Sequence, residues 1–108
     1  MLEITVGRDQ PAAEFYADLT ASAVALVDGE SDAIANMANI AALIWQYMPD
    51  LNWAGFYRRI DDELVLGPFQ GKTACIRIAI GAGVCGTAAA TGEVQRVADV
   101  HAFPGHIA

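Results

Sequence analysis

Trp53-Ala54-Gly55-Phe56-Tyr57-Arg58-Arg59-Ile60-Asp61-Asp62-Glu63-Leu64-Val65-Leu66-Gly67-Pro68-Phe69 is the stretch in which the chain changes character. Before it, apolar residues recur every three or four positions; within it, aromatic and β-branched residues form two runs separated by Asp61-Asp62. Runs of this kind bounded by turn formers read as strands. Trp53 to Ile60 and Leu64 to Phe69 are therefore predicted to pair as a hairpin, with Asp61-Asp62 as its turn.

On the N-terminal side, Pro11 is suited to a first helical position, and Phe15, Leu19, Ala23 and Leu26 follow at helical spacing until Gly29. The cluster Asp28-Gly29-Glu30-Ser31-Asp32 is a turn offering Ser31 as the cap of a second helix. Its stripe of Ile34, Met37, Ile40, Ala41, Ile44 and Met48 stops at Pro49. That stripe reads as core packing and not as a cofactor box.

On the C-terminal side, Cys75 to Ile80 alternates, which predicts a strand with its isoleucines on the core face and Cys75 turned away from them. Gly81-Ala82-Gly83 ends it, Gly86 to Thr91 leaves room for a short helix before Gly92, and Val94 to Val97 reads as a further strand. Ala98 to Ala108 is read as a loop holding Pro104 and Gly105. Two helices followed by strands with little room for crossovers predict an α+β fold with a mainly antiparallel sheet flanked by helices. The chain divides into a leader (1–10), two helices (11–48) and the sheet with its loops (51–108) of one domain. Because the last residues form a loop that closes nothing, and a bare sheet edge is a liability, the C-terminal strands are expected to be missing from this chain.

The 108 residues are 55% hydrophobic and 18% charged, too apolar for disorder. Six Lys and Arg stand against thirteen Asp and Glu, a formal charge of −7 that opposes nucleic acids and anionic membranes. No apolar stretch long enough to span a membrane and no export pattern is read in the sequence. A cytoplasmic location follows as the expectation, with both cysteines, Cys75 and Cys85, resting as thiols.

Gly81-Ala82-Gly83-Val84-Cys85-Gly86 matches G-x-G-x-x-G, but a dinucleotide site needs a βαβ unit of about thirty residues and a later acidic residue. The plainer reading is a tight strand-to-helix turn. Cys85 lies in that turn, where backbone N–H groups and a helix dipole favour a thiolate; the alternative is a small thiol packing as an apolar side chain. Whether Cys75 meets it is a matter of geometry that spacing leaves open. Asp99, His101 and His106 lack the registry and third ligand of a zinc site, so no metal is expected; a Cys85–His101 nucleophilic pair remains a further alternative. Trp53, Phe56, Tyr57 and Phe69 lie on the predicted hairpin, with Trp53 and Tyr57 on one face, and offer either an apolar cage for a methyl or methylthio group or an ordinary core face.

Five blocks, Asn52 to Tyr57, Leu66 to Lys72, Ala74 to Ile78, Gly81 to Ala89 and Val100 to Ala108, together resemble the free methionine-(R)-sulfoxide reductases. The resemblance implies a GAF fold with a six-stranded antiparallel sheet, usually in a homodimer, acting on free methionine sulfoxide with thioredoxin as reductant and no metal or organic cofactor. It places three cysteines in the mechanism, two of them at Cys75 and Cys85, with the third falling immediately after Ala108. In many homologues that third cysteine is the nucleophile and the residue matching Cys75 its disulfide partner, whereas others assign attack to the residue matching Cys85. Trp53 and Tyr57 match the aromatic wall around the substrate methyl group, and the carboxylates that hold the substrate amino group fall after Ala108. Since GAF scaffolds widely serve as small-molecule sensors, a ligand-binding module or an inactive fragment are the alternatives to an enzyme.

Overall fold

The computed structural model describes residues 10–105. Its elements are α1 (Ala12–Val27), α2 (Ala33–Tyr47), β1 (Trp53–Ile60), β2 (Glu63–Gly71), β3 (Arg77–Ala79), α3 (Gly83–Thr91) and a short 3-10 turn at Val100–Ala102. The three strands form one sheet in the order β1-β2-β3, and β2 and β3 are antiparallel. The residues fall into two compact units, Met1–Phe56 with Gly67–Thr73, and Tyr57–Leu66 with Ala74–Ala108; β1 and β2 contribute to both.

The first unit is built on the helix pair. Pro11 caps α1, its carbonyl accepting from the Phe15 amide at 3.0 Å, so the helix starts one residue later than expected. Phe15 and Leu19 are buried with Leu43 of α2, and Ala23, Leu26, Tyr47 and Met48 pack around them. Most of the predicted α2 stripe faces inward: Ala41 is fully buried and Met37, Ile40, Ile44 and Met48 are half-buried, while Ile34 is 61% exposed and Leu43, absent from the predicted stripe, is 3% exposed. The cap also differs: Asp32 rather than Ser31 accepts the Ala35 amide, at 2.8 Å. Its own amide is held by the Glu30 carboxylate at 3.0 Å, and Asn36 donates to the Glu30 carbonyl at 2.9 Å, which ties the turn to the first turn of the helix.

In the second unit, Leu64 and Ile78 face each other across β2 and β3, both buried. The predicted Cys75–Ile80 strand shrinks to Arg77–Ala79, because only three residues find partners in Glu63, Leu64 and Val65. Ile76 is 69% exposed, so the isoleucines do not share one core face. The Val94–Val97 strand does not form; Val94 is 94% exposed. With no neighbour to bury it, β-propensity alone does not make a strand. The end of the predicted final loop is a 3-10 turn through Ala102, capped by the Asp99 carboxylate on the His101 amide at 3.0 Å, while His106, Ile107 and Ala108 lie outside the described residues.

Candidate active site

The G-x-G-x-x-G run forms a turn that consumes its own backbone groups. The Gly81 amide donates to the Gly86 carbonyl at 2.8 Å, the Ala82 amide to Ala79 at 3.1 Å, and the Gly86 amide to Ala82 at 3.0 Å. Gly86 has no room for a side chain, since a Cβ there would stand 2.5 Å from the Ala79 carbonyl oxygen. This closed turn brings the start of α3 against β3. Helix α3 starts at Gly83, three residues earlier than the predicted start at Gly86, and ends at a left-handed Gly92 whose amide returns to Ala88 at 2.8 Å. Arg59 of β1 reaches the Ala89 carbonyl at 3.3 Å, holding the far end of the helix.

Cys85 therefore sits in the first turn of α3, exposed and with a free thiol. Desolvation of its sulfur pushes the thiol pKa up from the ordinary value, opposite to the lowering expected from the helix dipole. Cys75, also a free thiol, is half-buried in the irregular segment between β2 and β3 and not on a strand.

Tyr57 links the two cysteines. Its hydroxyl donates to the Cys75 carbonyl at 2.7 Å. Its phenol is held protonated above the ordinary tyrosine range, first by burial and then by the charge that Cys75 and Cys85 acquire as thiolates. Both sulfurs thus lie within electrostatic reach of one hydroxyl. The aromatic pattern on the hairpin carried no sign of this role for Tyr57, because the acceptor is a backbone carbonyl eighteen positions away.

In the other unit, Trp53 stacks on Phe69 with ring centroids 5.4 Å apart and planes inclined by 17°. Gly55 makes the stack possible: a Cβ there would collide with Phe69 and stand 2.9 Å from the Trp53 ring. Of the proposed cage, the structure brings Trp53 and Phe69 together and commits the hydroxyl of Tyr57 to Cys75. Among the described residues, no group of three or more His, Cys, Asp or Glu could hold a metal ion, and no helix is long and apolar enough to cross a membrane.

No family model matches the chain. Among curated relatives, it is 59% identical over 95 residues to the free methionine-R-sulfoxide reductase of Escherichia coli, an alignment covering 88% of this chain and 58% of that protein. The substrate-bound free methionine-R-sulfoxide reductase of Neisseria meningitidis superposes with a TM-score of 0.92 at 40% identity, over 99% of this chain and 64% of that one. Over most of its length the chain is similar to the free methionine-R-sulfoxide reductases. Its fold is the GAF fold, as in a protein of Burkholderia vietnamiensis described as a GAF sensor, with a TM-score of 0.89 and 60% identity over 92% of this chain and 63% of that one. The chain spans less than two thirds of the length of these relatives. Across this family and fold, the antiparallel α+β architecture expected from the sequence is the one found.

Proposed function

We propose that the protein to which this chain belongs reduces free L-methionine-(R)-S-oxide to methionine by thiol chemistry. The observation that carries this reading is the pair of free thiols, Cys75 and Cys85, set around one protonated tyrosine in a chain 59% identical to a named reductase of that substrate. A thiolate attacks the sulfoxide sulfur, the oxygen takes up a proton, and methionine leaves while the oxygen stays on the enzyme as a sulfenic acid. A second thiol condenses with the sulfenic acid, forming a disulfide and releasing water. Thioredoxin's dithiol then restores both thiols by exchange and is itself oxidised to a disulfide. Cys75 acts as a disulfide partner, and Cys85 as a second redox thiol. Desolvation raises the Cys85 pKa, which disfavours its thiolate. Trp53, stacked on Phe69, offers an apolar wall for the substrate methyl group. The reaction needs no metal or organic cofactor. A cytoplasmic homodimer fits the absence of any call for an oxidising compartment.

The test is thioredoxin-coupled oxidation of NADPH driven by free methionine-(R)-sulfoxide, with Cys75→Ser and Cys85→Ser compared with the unaltered full-length protein. Each substitution is expected to lower turnover at least tenfold, and unchanged rates in both would remove the thiol mechanism. The likeness to a GAF sensor favours a second reading, a binding module for a small molecule. Under it, calorimetric binding of the sulfoxide survives both serine substitutions and no NADPH is consumed.

A further inference from the structure

We propose that Tyr57 is a positioning residue for Cys75, its hydroxyl clamping the Cys75 carbonyl and thereby fixing where that thiol is presented. Residues 72–76 have no regular secondary structure, so neither helix nor ladder bonds set the backbone there. Two carbonyls tie the segment down. That of Ile76 accepts from the Leu66 amide at 2.8 Å, and that of Cys75 accepts from Tyr57 at 2.7 Å. The first bond continues the β2–β3 pairing by one residue; the second comes from a side chain on β1, so a strand at the other side of β2 holds the loop. The hydroxyl thus supplies an anchor for this irregular segment that comes from a strand and not from its own neighbours in sequence. A bond from a neutral donor to a half-buried carbonyl contributes modestly to stability, but it removes the freedom of one peptide next to the reacting sulfur.

The clamp is also durable. Burial, and the charge the two neighbouring cysteines can carry, hold the phenol pKa above its ordinary value, so the hydroxyl keeps the proton it donates. The inference deepens the thiol mechanism proposed above and rests on it for its catalytic meaning, since a positioned Cys75 shortens the search of one sulfur for the other when sulfenic acid and thiol condense.

The experiment is read on the sulfurs and not on turnover. The full-length protein, Tyr57→Phe and a variant carrying 4-aminophenylalanine at position 57 are labelled with iodoacetamide under native conditions, and the rate at each cysteine is followed by mass spectrometry. Tyr57→Phe keeps the ring and removes the donor. It is expected to raise the labelling rate of Cys75 at least threefold, with Cys85 and the melting temperature unchanged, and the amino variant, which restores a donor, is expected to return Cys75 to its original rate. A Cys75 rate within twofold of the original in Tyr57→Phe overturns the clamp. So does an equal change at both cysteines, or a change that the amino variant fails to reverse. A protein with no reductase activity leaves these rates as informative as before, which keeps failure of the clamp distinct from failure of the proposed reaction.

Discussion

The helix pair of the first unit and the thiol-bearing turn of the second are held together by different physics. Phe15, Leu19 and Leu43 are buried against one another, with Ala23, Leu26, Tyr47 and Met48 packed around them. Around Cys75 and Cys85, the buried apolar residues reduce to the Leu64–Ile78 pair, and position is set by individual hydrogen bonds, by a turn that closes on itself and by glycines that admit close approach. Burial is a sum over many small contacts and degrades gradually; a bond or a close approach is present or lost. A region built in the second way can place a sulfur to within a fraction of an ångström, and single substitutions should undo it.

The largest effect is expected where the contrast is strongest. Leu43→Ala should destabilise the protein by about 2–5 kcal/mol, the usual result of emptying a core position, read as a lowered urea midpoint at constant slope. A loss below about 1 kcal/mol would show that the helix pair is not the mainstay of this unit's stability. Next comes Gly86→Ala, whose added methyl meets the Ala79 carbonyl oxygen and should cost about 1–3 kcal/mol. The same variant should change the labelling rate of Cys85, because the turn that starts α3 must open. Asp32→Ala removes one bond to the Ala35 amide and should cost about 1 kcal/mol by thermal melting.

The smallest expected effect is on pH dependence. Cys85 and Tyr57 are neutral when protonated, and both have folded-state pKa values above their ordinary ones, so folding favours the protonated forms. Their contribution is complete below the ordinary thiol value and is lost as pH rises through the raised Cys85 value and then through that of Tyr57. Urea midpoints measured from neutral pH to about pH 10 should therefore decline, and the decline should be shallower in Cys85→Ser. Labelling of Cys85 should likewise turn on at higher pH than that of a free cysteine.

The same contrast explains what could be read without coordinates. Phe15 and Leu19 repeat at helical spacing because they share a buried face, and Asp61-Asp62 interrupts two β-rich runs, so the helices and the hairpin were visible in the sequence. The α2 stripe was legible from Met37 to Met48 but took in Ile34 and missed Leu43, because both are equally apolar as letters and only packing against α1 selects Leu43. Asp32 and Ser31 are both good caps, and the choice between them turns on which carboxylate or hydroxyl reaches Ala35. Val94 to Val97 has the composition of a strand and no partner among the described residues. At the candidate site, the cysteines and aromatics were legible by type and spacing. The Tyr57–Cys75 bond was not, because every residue carries a carbonyl and none of them leaves a mark in a sequence.

The brevity of β3 matters for how the molecule behaves in a crowd. Among the described residues, the β3 edge of the sheet offers a neighbouring strand only Arg77, Ile78 and Ala79, and Arg77 is engaged in an ion pair with Glu63 on the adjacent strand. Cross-strand templating between molecules proceeds along rows of some six or seven unbroken residues. A three-residue ladder with a charged pair at one end, turning at once into Gly81 and α3, gives an incoming strand little to copy. Lengthening that ladder would make the β3 edge a better template for an incoming strand.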